Sequence, residues 1–293
     1  MYQEVAFDPR CLAEFHYYSL LKTEFGYEKG RYIIAPLKKW AQEAHKAAKE
    51  SEQLKPVRKK SITNYLNKLQ KEKVNPFIIL PKYRTDVNGS SWFNWCQNQI
   101  VLAPFNYVIS ESFASSISHE DILEQDVRWL KPPTITVNKS SAEIISMIEP
   151  LIKLGGVITI VDQYFRLSEN PVLDEILAKM NSNSGITLIK LVTSMETVEP
   201  EVIFSNQYLS KYQNLPSFEL ITAPNKFFHD RYIISSLGAI KAGHGFSEGS
   251  EMGTQSDKVS FNLCSKEEAI STLNWVDKVL SEGKAHSKNL NGI

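Results

Sequence analysis

The sequence predicts an α/β protein with two domains. Residues 1–132 would form a helix-rich N-terminal domain with a small β-hairpin or sheet, and residues 133–293 a domain whose mixed sheet is covered by helices. Three observations predict this: apolar residues at helical spacing through most of residues 12–73, alternating strand and helix patterns after residue 133, and the separating dipeptide Pro132-Pro133. The length of 293 residues fits two domains of ordinary size.

The N-terminal region predicts helices followed by β-structure. Apolar residues recur at three- and four-residue steps over residues 37–48, which is typical of an amphipathic helix. Residues 77–80 and 92–102 are then rich in β-branched and aromatic residues, with the hairpin dipeptide Asn88-Gly89 between them. We favour helices beside a small sheet over the alternative, a winged helix, because nothing identifies a recognition helix.

The C-terminal region alternates strand and helix patterns, which favours a mixed or parallel sheet with helices on its faces. Its predicted strands are residues 134–137, 157–161, 186–192, 218–221, 231–235 and 239–242, and its predicted helices are residues 140–154, 171–180, 199–212 and 265–280. The strands at 157–161 and 186–192 are almost continuously apolar, so we expect both to be buried inside the sheet. The polar residues 284–293 are expected to fray.

Charge is balanced over the whole chain but not along it. Lys+Arg and Asp+Glu each number 33, yet residues 31–80 hold twelve basic and four acidic residues, a net charge of +8. Such a window indicates either a surface for nucleic acid, with Arg58, Lys59 and Lys60 at its centre, or a solvated helical face. The aromatic residues Trp92, Phe93 and Trp95 pose a similar choice between a base-stacking platform and ordinary core.

Several classes of protein are excluded or disfavoured by composition. The three cysteines are far apart and form no CxxC pair, which disfavours a disulfide framework and a zinc knuckle, and fits a reducing compartment. The N-terminus has no signal-peptide pattern, and no apolar stretch is long enough to span a bilayer. We therefore expect a cytoplasmic protein without a membrane span, a bound metal or a cofactor.

Residues 226–248, KFFHDRYIISSLGAIKAGHGFSE, carry the most informative pattern. Its His229, Arg231, Ser236 and Gly243 fall at the spacing of the motif His-x-Lys-x4-Asp-x6-Gly, so the region resembles the phospholipase D superfamily. The upstream segment VITIVDQYF, residues 157–165, resembles the strand that commonly opens that fold. The resemblance covers about residues 134–281 and implies a phospholipase D-like fold for the C-terminal domain.

In that superfamily one histidine attacks phosphorus, a second protonates the leaving group, and lysine binds the phosphoryl oxygens. The resemblance thus implies His229 and Arg231 as catalytic residues. The sequence departs from the pattern, however, because Arg replaces Lys at 231, Ser replaces Asp at 236, and only one copy of the motif is present. A metal-independent phosphodiesterase or nuclease would need a homodimer that brings two copies of His229 together.

The same residues also resemble a divergent branch, the phospholipase D-like C-terminal domain of MIT-domain proteins and related bacterial conflict proteins. That branch is thought to bind rather than cleave, and the fragment GHGFSE at residues 243–248 supports it. The leading hypothesis is therefore a non-catalytic or weakly catalytic module that recognises nucleic acid, a headgroup or another phosphate ligand. It would dock with other subunits of a larger assembly, a bacterial antiphage defence complex. A protein–protein scaffold is a further alternative.

Each candidate ligand-binding residue also has a structural interpretation. Asp162, at the end of a predicted strand, lies where α/β folds bind ligands, but it could cap the following turn. Arg231 could pair with Asp162, and Asp230 would then point to the opposite face of its strand. His244 could be a second imidazole or an ordinary turn residue. The remaining candidates are Gly243 and Ser247, in the same turn.

Overall fold

The computed structural model describes residues 1–71, 77–85, 89–182, 185–249 and 257–291. The chain is a mixed α/β protein that divides into two compact units, Tyr2–Lys131 and Pro132–Ile293. The division falls at the proline pair that the sequence presents there. Among the described helices, none combines the length and apolar character needed to cross a bilayer.

The N-terminal unit is built on a parallel sheet of four strands in the order β3-β2-β1-β4. Its strands and helices are β1 (Gln3–Phe7), α1 (Phe15–Thr23), β2 (Arg31–Ile34), α2 (Leu37–Glu50), α3 (Pro56–Lys71), β3 (Ile78–Ile79), α4 (Trp92–Leu102), β4 (Tyr107–Ile109) and α5 (His119–Leu123). Short 3-10 turns at Pro9–Ala13 and Lys82–Arg84 complete the unit. The helical stripe over residues 37–48 is confirmed, because α2 buries Trp40, Ala41, Ala44 and Ala48.

The predicted β-structure at residues 92–102 is wrong, because this segment is helix α4. Ser91 caps the helix by accepting the N–H of Asn94, and the buried face consists of Trp92, Trp95, Cys96 and Gln99. Those four positions follow helical spacing, which outweighs the β-propensity of the individual aromatic residues. No hairpin therefore joins residues 77–80 to 92–102 among the described residues, and Asn88 itself lies outside them. The prediction of helices with a small sheet is confirmed for this unit, but the sheet is parallel and is not built on the predicted hairpin.

The C-terminal unit contains a mixed sheet of eight strands in the order β12-β8-β7-β6-β9-β10-β11-β5. Its elements are β5 (Thr134–Asn138), α6 (Ser141–Leu154), β6 (Gly156–Val161), α7 (Pro171–Asn181), β7 (Ile186–Thr193), α8 (Pro200–Phe204), β8 (Ser217–Thr222), β9 (Arg231–Ser235), β10 (Gly238–Ala242), β11 (Lys258–Leu263), α9 (Lys266–Ser281) and β12 (His286–Asn289). Strands β6, β7 and β8 are parallel, and the other pairs are antiparallel.

Strands β6 and β7 lie in the interior of this sheet, as their apolar sequences predict. Ile158, Ile160 and Val161 of β6 are buried, and Ile189 and Leu191 of β7 are fully buried. Helix α6 adds the apolar face predicted for residues 140–154, beginning after Ser140, whose side chain accepts the N–H of Glu143. The centre of the sheet is thus a rigid support for the residues at its edges.

The prediction that residues 284–293 fray is wrong for the residues that the structure describes. His286–Asn289 forms the edge strand β12 against β8, and the Leu290 N–H donates to the Phe218 carbonyl at 2.9 Å. Leu290 is buried, although all four residues of β12 are exposed. An edge strand exposed on both faces carries no apolar alternation, so the sequence gives no signal for it. Gly292 and Ile293 lie outside the described residues.

Candidate functional site

The candidate site lies where the parallel strands of the C-terminal unit end. Asp162 follows β6, and Arg231 begins the neighbouring antiparallel strand β9. Because Val161 is opposite Tyr232 in the register of these strands, Asp162 and Arg231 are brought together at the edge. Gly243 follows β10, which pairs with β9 and has Ala242 opposite Arg231, so its backbone lies at the same edge. This is the position at which open α/β sheets bind ligands.

Asp162 is buried, with a relative exposure of 1%, and it caps the following turn, which is one of the two roles considered from the sequence. Its Oδ1 accepts the Tyr164 N–H at 3.0 Å, which caps the turn after β6. Its Oδ2 accepts the Phe246 N–H at 2.8 Å, which ties the glycine-bearing turn to the strand. The same carboxylate pairs with Arg231, whose Nε is 3.7 Å from Oδ1. Charge-assisted hydrogen bonds of this kind hold the carboxylate in place.

Only part of the Arg231 guanidinium group has hydrogen-bond partners among the described residues. Its Nη1 donates to the Gly243 carbonyl at 2.9 Å, and its guanidinium lies 5.7 Å from the centre of the Tyr164 ring. The Nε atom is buried but makes no hydrogen bond within the described residues, since Asp162 is beyond hydrogen-bonding distance. The side chain keeps a relative exposure of 19%, so part of the guanidinium is open to a ligand.

Gly245 lies in the turn that packs against the Asp162–Arg231 ion pair. Its φ of +82° lies in the left-handed region. A Cβ at this position would lie 2.6 Å from Asp162 Oδ2 and 3.1 Å from Arg231 Cδ. Only glycine therefore permits the backbone to approach the carboxylate so closely. Both glycines of the Gly-x-Gly sequence act through the backbone. The Gly243 carbonyl accepts from Arg231, and Gly245 leaves room for the Asp162 carboxylate.

Lys139 is a site residue that the sequence did not reveal. It follows strand β5, and burial lowers the pKa of its ammonium group. The charge of Asp162 opposes that effect, and the charge of Arg231 adds to it. The backbone places Lys139 at this edge, because its N–H donates to the Asp257 carbonyl at 2.6 Å and its carbonyl accepts the Gly249 N–H at 2.8 Å. The sequence shows that Lys139 directly follows a predicted strand. That position places Lys139 at the candidate site only when the pairing of β5 with β11 is known. Lys139 and Arg231 thus supply two positive charges around the single negative charge of Asp162.

The other candidates near the motif are less closely involved. Asp230 points away, because its carboxylate accepts from Lys241 Nζ at 3.0 Å and from the Tyr232 hydroxyl at 3.2 Å, and Lys241 holds its pKa below the usual range. His229 and His244 are exposed, and Ser247 is half-buried. Within the described residues, no side chain orients the His229 imidazole by a hydrogen bond. The structure therefore brings together Asp162, Arg231 and Gly243, and places Asp230 in a separate cluster.

The basic candidates Arg58, Lys59 and Lys60 lie at the beginning of α3 in the N-terminal unit. The Arg58 guanidinium is 4.3 Å from the Phe15 ring centre, Lys59 Nζ donates to the Lys49 carbonyl at 3.2 Å, and Lys60 is exposed. Arg31, by contrast, is buried and pairs with Glu24 at 3.2 Å, so it belongs to the core rather than to a basic surface. Lys73 and Glu72 lie outside the described residues.

The aromatic cluster considered as a stacking platform is mostly core. Trp92 and Trp95 are each only 2% exposed. The Phe93 ring, which is half-buried, packs against Phe113 with ring centres 4.5 Å apart. Neither tryptophan presents a face on which a base could stack.

Comparisons with known proteins do not assign the chain to a family. No family model matches it, and no curated protein matches it. Among solved structures, it is similar to TrmBL2, an archaeal chromatin protein whose structure is described as showing a novel mode of DNA binding. The similarity has a TM-score of 0.31 and 11% identity, and it covers 56% of this chain and 59% of that one. A similarity this weak carries no argument about fold or function.

Proposed function

We propose that the C-terminal unit is a phosphate-binding module of phospholipase D-like fold, non-catalytic or weakly catalytic. It would recognise the phosphate of a nucleic acid or a lipid headgroup. The resemblance of residues 226–248 extends the proposal to a place among the subunits of a bacterial antiphage defence assembly. That setting rests on the resemblance alone, whereas the phosphate-binding role has support from the geometry of the site.

The observation that carries the proposal is the excess of positive charge around Asp162. Arg231 pairs with this carboxylate, and Lys139 lies at the same edge, where its carbonyl accepts the Gly249 N–H of the glycine-bearing turn. Asp162 can neutralise only one of the two cations. A phosphate oxygen that approached the open part of the Arg231 guanidinium would meet the second cation as well. Arginine is suited to phosphate because its planar fork matches two oxygens at once. Partial burial strengthens these interactions relative to those of a solvated surface.

Binding is favoured over cleavage by what surrounds His229. An imidazole that attacks phosphorus needs a partner to orient it and a second imidazole to protonate the leaving group. Ser236 stands where the superfamily has its acid, and His229 lies exposed. The phosphodiesterase alternative would thus depend on a homodimer to supply the second His229. A scaffold without any ligand would leave the excess positive charge without a role.

The proposal is tested by binding measurements with labelled DNA, labelled RNA and anionic phospholipid vesicles, with and without EDTA. We expect at least one of these to bind, and EDTA to change nothing. Lys139→Ala should weaken binding by about 1.5–3 kcal/mol, the range for a charge-assisted hydrogen bond. Lys288→Ala is the matched control, because this lysine is on β12 at the opposite edge of the sheet and pairs with Glu201.

Failure to bind any of the three probes would reject the proposal. Equal loss from Lys139→Ala and Lys288→Ala would also contradict it, because the effect would then reflect overall charge and not this site. Cleavage of a probe would favour the phosphodiesterase alternative instead.

A further inference from the structure

The N-terminal unit contains a cavity that the proposed function does not use. Its volume is about 400 Å³, within the range of small-molecule sites, and it lies between α1, the turn before α3 and the start of α5. The cavity is lined by Glu14, Phe15, His16, Ser19, Gln53, Leu54, Arg58 and His119. Five of these eight side chains carry hydrogen-bond donors, and Glu14 is the one carboxylate among them. The wall therefore suits a ligand that accepts several hydrogen bonds.

Two imidazoles in contact form one side of the cavity. The ring centres of His16 and His119 are 4.2 Å apart, with an angle of 41° between the ring planes. Burial lowers the pKa of His119, and the charge of His16 lowers it further. Two positive charges at this separation repel each other, so a proton on one imidazole disfavours a proton on the other.

The charges around the pair are nearly balanced. His16 Nε2 is 3.4 Å from the Glu14 carboxylate, and Arg58 covers the Phe15 ring. The remaining groups are Glu120, whose charge raises the pKa of His119, and Tyr17, whose hydroxyl accepts the His119 backbone N–H at 3.0 Å. That hydroxyl donates in turn to the Glu111 carboxylate. Arg58 and Glu14 offset each other at the wall, so one proton on the imidazole pair makes the wall positive.

We propose that this cavity binds the phosphate of a phosphomonoester and that the His16–His119 pair takes up one proton from solvent on binding. The Arg58 guanidinium, an imidazolium N–H, the Ser19 hydroxyl and the Gln53 amide would donate to the phosphate oxygens. A free nucleotide and the 5′-terminal phosphate of a nucleic-acid strand present the same chemistry. The site is in the other unit from Arg231 and does not depend on the function proposed for it.

The test measures binding of sulfate by the full chain while the ring protons of the histidines are followed by NMR. Sulfate is the probe because it keeps both negative charges throughout the range, whereas a phosphomonoester takes up a proton near pH 6. We expect sulfate to raise the pKa of the pair, and affinity to rise about tenfold between about pH 8 and about pH 5.5. All measurements are repeated in Arg231→Ala, so that sulfate at the C-terminal site is not mistaken for this one.

Arg58→Gln should lower the affinity for sulfate about tenfold or more, since it removes a charged donor. Lys59→Gln is the matched control, because Lys59 is adjacent but bonds to the Lys49 carbonyl and does not line the cavity. The double change His16→Gln with His119→Gln should abolish the pH dependence while keeping a donor at each position, because either single change leaves one imidazole to take up the proton. Thermal unfolding of each variant checks that the unit remains folded.

The proposal is overturned if sulfate leaves the titration of both imidazoles unchanged, or if Arg58→Gln and Lys59→Gln bind sulfate with the same affinity.

A second experiment compares a nucleoside monophosphate and a 5′-phosphorylated oligonucleotide with their unphosphorylated counterparts. Tighter binding of either phosphorylated form supports the proposal and identifies the source of the phosphate. Equal binding of the phosphorylated and unphosphorylated forms would contradict it.

Discussion

Asp162 is both a structural and an electrostatic centre of the C-terminal cluster. Asp162→Asn keeps the size of the side chain and one acceptor oxygen, but it leaves Arg231 and Lys139 without their counter-charge. We expect unfolding in urea to show a loss of about 3 kcal/mol, as for other buried pairs broken on one side. The same change should strengthen binding of phosphate, because the net charge of the site rises. Weaker binding by a folded Asp162→Asn protein would contradict the proposed role of the two cations.

Gly245 allows a second prediction at this scale. Gly245→Ala should destabilise the protein through both its left-handed backbone and the clash with Asp162, by about 2–4 kcal/mol when the two costs are added. Gly283→Ala is the matched control, because Gly283 also has a positive φ, +66°, but no atom lies within 4 Å of the added Cβ. Gly283→Ala should lower the free energy of unfolding only through its left-handed backbone, by about 1–2 kcal/mol. Equal losses in urea denaturation would show that the turn does not press against the carboxylate.

At the scale of elements, the edge strand β12 is tied into the sheet through Leu290. Leu290→Ala should lower the free energy of unfolding by about 2–5 kcal/mol, the usual cost of removing a buried leucine side chain. Lys288→Ala, on the exposed strand beside it, should change stability by less than about 1 kcal/mol, since it breaks only a surface ion pair. If both changes were neutral, residues 286–290 would not be part of the folded sheet.

Helix α3 tests the hypothesis of a nucleic-acid surface. It carries five basic and no acidic residues, and its buried side is formed by Ile62, Leu66 and Leu69. Replacing Arg58, Lys59 and Lys60 by Glu should abolish binding of duplex DNA, while thermal stability changes little. The affinity of the unmodified chain should fall with salt at a slope of about 0.9 per neutralised phosphate. Binding that is insensitive to salt, or that survives the triple change, would identify the helix as a solvated face.

The elements also show where the sequence is informative. Strands β6 and β7 were predictable because burial on both faces forces an unbroken apolar run, and α2 because only one face is buried. Helix α4 was not predictable in this way, since its aromatic residues favour strands while their spacing favours a helix. Strand β11 alternates Val259 and Phe261 with polar residues, but it is short and its pairing with β5 spans more than a hundred residues. Such long-range pairing leaves no local signal.

The candidate site could be predicted in part. The residues of the motif, Arg231 and Gly243, were recognisable from spacing, and Asp162 from its place after a strand. Lys139 was not recognisable, because its proximity follows from the order of the strands and not from neighbours in sequence. The separation of Asp230 from Asp162, by contrast, is predictable, because adjacent strand positions point to opposite faces and Arg231 pairs with Asp162. Chemistry that depends on sheet order becomes visible only in the folded chain.

For the whole molecule, two variants distinguish a binding module from a hydrolase. Arg231→Ala and His229→Ala are measured for phosphate binding, and the unmodified chain is acid-quenched after incubation with a labelled phosphodiester. A binding module should lose about 1.5–3 kcal/mol of affinity with Arg231→Ala, keep nearly all of it with His229→Ala, and carry no label on His229. A phosphohistidine at His229, or activity that disappears with His229→Ala and survives EDTA, would contradict the central claim.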